Sequence, residues 1–290
     1  MNNIVTIVAS DKITINSELI EKICNILRLD ISAVKQLSAG KAYDFFCPHL
    51  SVDIEKDLSR FLSHLQIDVF FLDESFRLSK KLMLSDMDAT LIKNECIDEI
   101  ARYIGKYDEI ANITEEAMNG DMLFEGSLEQ RVKLLKNVEK SDLAKIYDKY
   151  IELNPGVKST AIQLKKMGVH LSIVSGGFTY FCKRVAQDTG FDDYYANEFI
   201  FEDGKLSGNV KSPIFSSESK AEVLDMLMRK HNIDKKEVIA IGDGANDLPF
   251  LTKVPFSIGY KAKPVLRKKV KFNIIHSDFT AILFILGLVV

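Results

Sequence analysis

The sequence predicts an α/β protein, a Rossmann-like parallel sheet with an inserted helical cap and a small N-terminal α+β domain. Three observations support this fold class. Apolar strands alternate with helices after residue 155, residues 94–150 have helical patterning, and residues 1–78 have their own strand-and-helix pattern. The length of 290 residues suits about two domains. We place them at residues 1–78 and 79–290, with the cap at about 94–150.

The N-terminal module begins with an apolar strand at residues 4–9, followed by an amphipathic helix at 17–29. Residues 53–65 have helical spacing, and residues 69–72 form a second apolar stretch. The charged and polar residues 74–81 are predicted to be a linker.

The larger part of the chain alternates between strands and helices. The predicted elements are a strand at 82–84, a helix ending at 167, a strand at 169–174, helices at 178–187 and 219–231, a strand at 238–241 and a buried terminal element at 281–290. Because these strands are continuous apolar runs, we expect a parallel sheet covered on both faces.

Composition excludes several classes of protein. The formal net charge of −3 argues against a bulk nucleic-acid binder. No apolar run approaches the ~18 residues of a membrane span, and Met1-Asn2-Asn3-Ile4 lacks a secretion signal, so we predict a cytoplasmic protein. The widely spaced cysteines favour buried thiols over a zinc site or disulfides.

Polar clusters follow three of the strands, at residues 85–90, 175–177 and 242–247. Ligands bind at the carboxyl ends of parallel strands, so we expect the clusters to converge. Carboxylates beside small residues with free backbone N–H groups make a hard-cation site next to an anion site, which suits a phosphate ester with Mg²⁺. Asp86 and Asp88 can divide the roles of nucleophile and general acid.

Other chemistries find little support in the sequence. The phosphate-binding Gly-x-x-x-x-Gly-Lys-Ser/Thr motif and the Gly-x-Ser-x-Gly elbow are absent, and Gly242-Asp243-Gly244 lacks the third glycine of a dinucleotide site. The five histidines stand singly in the sequence, so we interpret them as surface or packed residues.

The motifs Asp86-Met87-Asp88-Ala89-Thr90, Ser175-Gly176-Gly177, Lys220 and Gly242-Asp243-Gly244-Ala245-Asn246-Asp247 resemble the haloacid dehalogenase superfamily. Within it, residues 95–101, 116–120 and 124–132 of the insert resemble the phosphoserine phosphatase family. The resemblance runs from residue 82 to the C-terminus. The chain departs from the family pattern at Ala89, where the family usually has Ser. We expect this difference to have a modest effect on substrate orientation and on the rate.

The resemblance implies hydrolysis of O-phospho-L-serine to L-serine and phosphate, the last step of serine biosynthesis. Asp86 would be the nucleophile that becomes an aspartyl phosphate, and Asp88 the acid and base. Mg²⁺ would be held by the carboxylates of Asp86 and Asp243 and the backbone carbonyl of Asp88, with support from Asp247.

The resemblance also implies a substrate site. Phosphate would be bound by Ser175, Gly176, Lys220 and Asn246. Glu95 would meet the substrate ammonium, and Arg131 its carboxylate, by bidentate pairing. The N-terminal module is compatible with a regulatory, amino-acid-binding ferredoxin-like domain.

Two alternatives stay open at this point. The substrate could be another small phosphorylated amino acid or alcohol, acted on by a phosphatase or phosphotransferase. The chain could also be a non-catalytic sensor of a phosphorylated metabolite, although intact Asp86, Asp88, Asp243 and Lys220 argue against it. The expected partner is a small molecule, not nucleic acid or membrane, and a homodimer is compatible with the sequence.

Overall fold

The computed structural model describes residues 3–77, 79–118 and 123–289. The N-terminal elements are β1 (Asn3–Ala9), α1 (Ser17–Leu27), β2 (Val34–Ser38), β3 (Ala42–Cys47), α2 (Val52–Leu62) and β4 (Ile67–Asp73). They form an antiparallel sheet in the order β2-β3-β1-β4. This β-α-β-β-α-β succession is the ferredoxin-like arrangement that the sequence suggested.

Several boundaries in this module differ from the prediction. The β2–β3 hairpin was missed, because β2 is an edge strand with Leu37 as its buried residue and no apolar alternation. Helix α1 ends at Leu27 rather than 29, because Arg28 adopts a left-handed conformation with φ 56°. Helix α2 ends at Leu62, and a turn over residues 63–66 leads into β4.

The segment predicted as a linker is tied to both parts of the protein. Arg77 pairs with the fully buried Asp44 of β3 through two N···O contacts of 2.7 Å. Its Nε also donates to the carbonyl of Ile285 at 3.1 Å. Residue 78 lies outside the described residues. The prediction of a linker is therefore wrong at Arg77, because its side chain connects the N-terminal sheet to Ile285, near the end of the chain.

The rest of the chain contains the sheet and its covering helices. In chain order its elements are β5 (Leu82–Ser85), α3 (Cys96–Tyr103), α4 (Tyr107–Met118), α5 (Phe124–Leu134), α6 (Lys140–Tyr150), α7 (Val157–Lys166), β6 (His170–Phe178), α8 (Thr179–Thr189), β7 (Asp193–Asn197), β8 (Phe199–Glu202), β9 (Lys205–Val210), α9 (Ser217–His231), β10 (Val238–Gly242), α10 (Leu248–Leu251), β11 (Ser257–Tyr260), α11 (Pro264–Arg267), β12 (Phe272–Ile274) and α12 (Ala281–Ile285).

The predicted parallel sheet is confirmed. Six strands pair in the order β12-β11-β10-β5-β6-β7, and each neighbouring pair is parallel. Every residue of β5 and β10 is buried, as continuous apolar strands require. Strands β7, β11 and β12 were not predicted, because they are short or mix polar with apolar residues. The adjacency of β10, β5 and β6 brings the three polar clusters to one edge.

The insert is helical, as predicted, and consists of α3 to α6 over its described residues. Asn119 and Gly120 of the motif at 116–120 lie outside the described residues. A second part of the cap was missed, the hairpin β8–β9. Its Leu206 exchanges two backbone hydrogen bonds of 2.9 Å with Asn137 and Val138, which connect α5 to α6.

The remaining structural predictions concern cysteines and membrane segments. All four cysteines are buried free thiols, as expected. The apolar C-terminal segment is buried through α12, with Val290 outside the described residues. Among the residues that the structure describes, each helix is too short or too polar to cross a bilayer.

Candidate active site

Asp86 follows the last residue of β5 and is held by a buried lysine. Lys220, in the first turn of α9, donates to Asp86 Oδ1 at 2.9 Å and to Asp247 Oδ1 at 2.7 Å. Burial alone would lower the pKa of Lys220, but the Asp247 and Asp86 carboxylates raise it. Lys220 is 1% exposed, so it is a fixed internal cation rather than a solvated helix residue. Its third N–H remains available for another acceptor.

Asp88 lies where the strand edge meets the cap. Its Oδ1 accepts the backbone N–H of Cys96, the first residue of α3, at 2.9 Å. Its Oδ2 accepts the Ser175 hydroxyl at 3.2 Å. Burial raises the pKa of Asp88, although these hydrogen bonds oppose the shift. A carboxyl group with a raised pKa is suited to carry a proton to a leaving group.

One carboxylate oxygen from each of Asp86, Asp243 and Asp247 lies within 4.8 Å of the other two. Burial, followed by the charge of Asp247, raises the pKa of Asp86 well above its usual range and that of Asp243 to about 6. Backbone N–H groups of Asp243 and Gly244 donate to Asp247 Oδ2 at 3.0 and 3.1 Å. Crowded carboxylate oxygens are the ligands that Mg²⁺ prefers, so the residues present fit a hard divalent cation.

The predicted substrate residues other than Lys220 share one cavity of about 120 Å³ between the strand edge and the cap. It is lined by Asp86, Asp88, Glu95, Arg131, Ser175, Gly176, Asp243 and Asn246. Lys220 and Asp247 do not line it; both are buried, and Lys220 links Asp247 to Asp86. Glu95 lines the cavity, where desolvation by the surrounding protein and, after it, the charge of Asp88 raise its pKa to about 8. A cationic group of a ligand would favour its charged form.

Arg131 reaches the cavity from α5. Its Nε donates to the carbonyl of Ser127, one turn earlier in the same helix, at 3.2 Å. Burial lowers the pKa of Arg131, while the charges of Glu95 and Asp98 oppose the shift. A guanidinium remains charged under these conditions. The cap therefore brings a cation and a carboxyl group, Arg131 and Glu95, into one small space.

Sequence reasoning missed several wall residues. Lys263, in the loop after β11, lies 3.9 Å from Asp243 Oδ2 and adds a cation at the rim. Phe124 and Phe178 form apolar walls, and Phe178 stacks on Phe199 with ring centroids 3.6 Å apart. A lone lysine or phenylalanine carries no sequence signal of this kind, because its place depends on how distant loops converge.

Comparisons with known proteins agree with this geometry. Residues 83–252 match the family model of the haloacid dehalogenase-like hydrolases. A phosphoserine phosphatase from Methanocaldococcus jannaschii is 39% identical over 70% of this chain and 96% of its own length. One from Archaeoglobus fulgidus is 37% identical over 75% of this chain, and the match spans 63% of that relative.

Solved structures extend the similarity to the whole chain. A haloacid dehalogenase family hydrolase from Salmonella enterica serovar Typhi covers 99% of both chains with a TM-score of 0.86 and 29% identity. A phospho-aspartyl intermediate analogue of phosphoserine phosphatase covers 71% of this chain and 98% of its own, with a TM-score of 0.66 and 38% identity. The chain therefore belongs to the haloacid dehalogenase-like hydrolase family and, within it, to the phosphoserine phosphatase family.

Proposed function

We infer that this protein hydrolyses O-phospho-L-serine to L-serine and phosphate through an aspartyl phosphate on Asp86. The observation that carries this proposal is the single cavity of about 120 Å³ shared by Asp86, Asp88, Glu95 and Arg131. The two strand-end carboxyl groups suit phosphoryl transfer, and the two cap residues suit an amino-acid head group. Relatives named phosphoserine phosphatase support the same activity.

In the first step, a carboxylate oxygen of Asp86 attacks phosphorus while Asp88 protonates the departing serine oxygen. Lys220 fixes the orientation of Asp86 through its 2.9 Å contact, so little reorganisation is needed for attack. In the second step, deprotonated Asp88 takes a proton from water, which attacks the aspartyl phosphate and releases phosphate. The same carboxyl group thus serves as acid and then as base.

We propose Mg²⁺ as the cofactor, held by the carboxylates of Asp86 and Asp243 and the backbone carbonyl of Asp88. When bound, it offsets the negative charge of the crowded carboxylates and of the phosphoryl group. Support comes from one carboxylate oxygen from each of Asp86, Asp243 and Asp247, which lie within 4.8 Å of one another. Ser175, the Gly176 N–H, Lys220 and Asn246 are the proposed phosphate ligands.

The cap accounts for selectivity in this proposal. Glu95 pairs with the substrate ammonium, whose positive charge offsets the desolvation and, after it, the charge of Asp88 that together raise the pKa of Glu95 to about 8. Arg131 pairs with the substrate carboxylate. A substrate with one phosphate, one ammonium and one carboxylate has a partner for each group. The second candidate is another small phosphorylated amino acid or alcohol, which the same phosphoryl site would accept.

Phosphate release from a panel of phosphomonoesters, with Mg²⁺ and with a chelator, tests the substrate and the cofactor together. We expect phosphoserine to have the highest kcat/KM and the chelator to stop turnover. Preference for phosphoethanolamine or a sugar phosphate would replace phosphoserine as the substrate. Binding of phosphoserine without phosphate release would favour the sensor function instead.

Replacement of Arg131 by Ala tests the head-group contact. Loss of a charge-assisted hydrogen bond costs about 1.5–3 kcal/mol, so kcat/KM for phosphoserine should fall roughly ten- to a hundredfold. p-Nitrophenyl phosphate has no carboxylate, so its hydrolysis should change far less. The matched control is Arg102→Ala, an arginine of α3 that pairs with Glu99 at 2.9 Å. Equal losses with both substrates would show that Arg131 is structural or binds phosphate.

The domain boundaries at 78/79, the cap limits at 94 and 150 and the regulatory role of the N-terminal module stay predictions, as do the cytoplasmic location and a homodimer. Support for a separate N-terminal module comes from its own four-stranded sheet and its own apolar core. We also propose serine biosynthesis as the pathway, because L-serine is the product of the proposed reaction.

A further inference from the structure

Next to the cavity, the regular pairing between the end of β6 and β7 is interrupted. The register pairs Val174 with Tyr195 and Phe178 with Asn197, so residues 175–177 bulge out of the ladder. A bulge beside an active site re-aims the backbone and frees N–H groups for a ligand. It also leaves carbonyl groups that need partners elsewhere, because buried backbone polar groups are rarely unpaired.

Asn197, the last residue of β7, supplies one of these partners. Its side chain is 2% exposed. Nδ2 donates to the carbonyl of Gly176 at 2.9 Å and to that of Phe215 at 3.2 Å, while Oδ1 accepts the Phe215 N–H at 2.7 Å. The reverse orientation of the amide would place its oxygen against two carbonyl oxygens, so the hydrogen bonds define this one.

A chain of hydrogen bonds continues from Asn197 to Asp88. The Gly176 carbonyl and the Gly177 N–H belong to one planar peptide and point in opposite directions. The Gly177 N–H donates to Ser175 Oγ at 2.9 Å, and the Ser175 hydroxyl donates to Asp88 Oδ2 at 3.2 Å. The orientation of this peptide therefore sets the position of the Ser175 hydroxyl and, through it, of the Asp88 carboxyl group.

The glycines explain why an external restraint is needed. A Cβ atom at Gly177 would lie 2.7 Å from Asp88 Oδ2 and 3.0 Å from Ser175 Oγ, so a side chain does not fit there. Glycine, however, leaves its backbone free to adopt other conformations. Because only glycine fits next to Asp88, no side chain restricts the backbone conformation at Gly177. The amide of Asn197, on the neighbouring strand, restrains the peptide instead.

We propose that Asn197 is a positioning residue that fixes the Gly176–Gly177 peptide and, through Ser175, orients Asp88 toward the leaving-group oxygen. This inference rests on the proposed role of Asp88 as the general acid but not on the identity of the substrate. Asn197 touches none of the reacting atoms, so its effect should depend on how much the leaving group needs a proton.

The test compares Asn197→Ala with Asn197→Asp. Asp keeps the shape and can accept the Phe215 N–H, but its carboxylate cannot donate to Gly176. For both variants we expect kcat/KM to fall roughly ten- to a hundredfold with phenyl phosphate and phosphoserine. With p-nitrophenyl phosphate the loss should be several-fold smaller than with phenyl phosphate, because both esters share the proposed phosphate contact of Ser175 but the p-nitrophenolate leaving group departs without a proton.

Asn273→Ala is the matched control. The Asn273 amide donates to the Arg267 carbonyl at 3.0 Å, and Asn273 does not line the cavity. In the Asn273→Ala variant, the ratio of kcat/KM for phenyl phosphate to kcat/KM for p-nitrophenyl phosphate should equal that of the wild type. Equal losses on both aryl phosphates, an Asp variant with wild-type kinetics, or an unchanged rate with phosphoserine would each overturn the positioning role. A wild-type protein that hydrolyses only the aryl phosphates would refute the proposed substrate and leave this comparison intact.

Discussion

Asp86→Asn should reduce turnover by roughly four orders of magnitude or more, the scale of losing a covalent nucleophile. An amide oxygen cannot attack phosphorus at a useful rate, yet it nearly preserves the shape of the carboxylate and can still accept the 2.9 Å hydrogen bond from Lys220. Rapid acid quenching with radiolabelled phosphoserine or p-nitrophenyl phosphate should trap a hydroxylamine-sensitive acyl phosphate in the wild type alone. Equal labelling of the Asn variant would exclude Asp86 as the nucleophile.

The same substitution should not unfold the metal-free protein. Burial and then the charge of Asp247 raise the folded-state pKa of Asp86 above the ordinary 3.8. A group with a raised folded-state pKa lowers stability as the pH rises from its unfolded-state value through its folded-state value. The Asn variant lacks this ionisation, so at neutral pH its metal-free form should be at least as stable as the wild type. Thermal unfolding of both proteins in the presence of a chelator compares their stabilities.

Arg77→Ala should lower the free energy of unfolding by about 3–5 kcal/mol, because it leaves the Asp44 carboxylate buried without its cation. The Asp44 side chain is 0% exposed, and Arg77 meets both of its oxygens at 2.7 Å. The change also removes the donor to the Ile285 carbonyl in α12. Urea denaturation, read from the midpoint at constant slope, gives the loss.

Arg60→Ala is the control for Arg77, because its partner Asp57 is 3.8 Å away and both side chains are exposed. Such a pair contributes about 0–1 kcal/mol. The double variant Arg77→Ala with Asp44→Asn should recover part of the loss, since no unpaired charge then remains buried. An Arg77→Ala variant as stable as the Arg60 control would show that the junction does not depend on this ion pair.

The N-terminal module shows where sequence patterns reach their limit. Continuous apolar runs indicated β1 and β4, but β2 lies at the sheet edge and has no such run. The hairpin β8–β9 was missed for a related reason, since its residues mix exposed and buried positions without a regular pattern. Edge elements bury too little surface to leave a periodic signal.

The sequence by itself determined the type of chemistry, phosphoryl transfer by carboxyl groups at the ends of the strands. Asp86, Asp88, Ser175 and Asp243 lie near the carboxyl ends of apolar strands. Parallel strands bring these ends to one edge of the sheet whatever the details of packing. Tertiary structure alone decided which other groups complete the site. Lys263 reaches the rim from a distant loop, and Asn197 restrains a peptide from the neighbouring strand. Such roles depend on the register of a bulge and on distances of about 3 Å, which no local pattern of residues encodes.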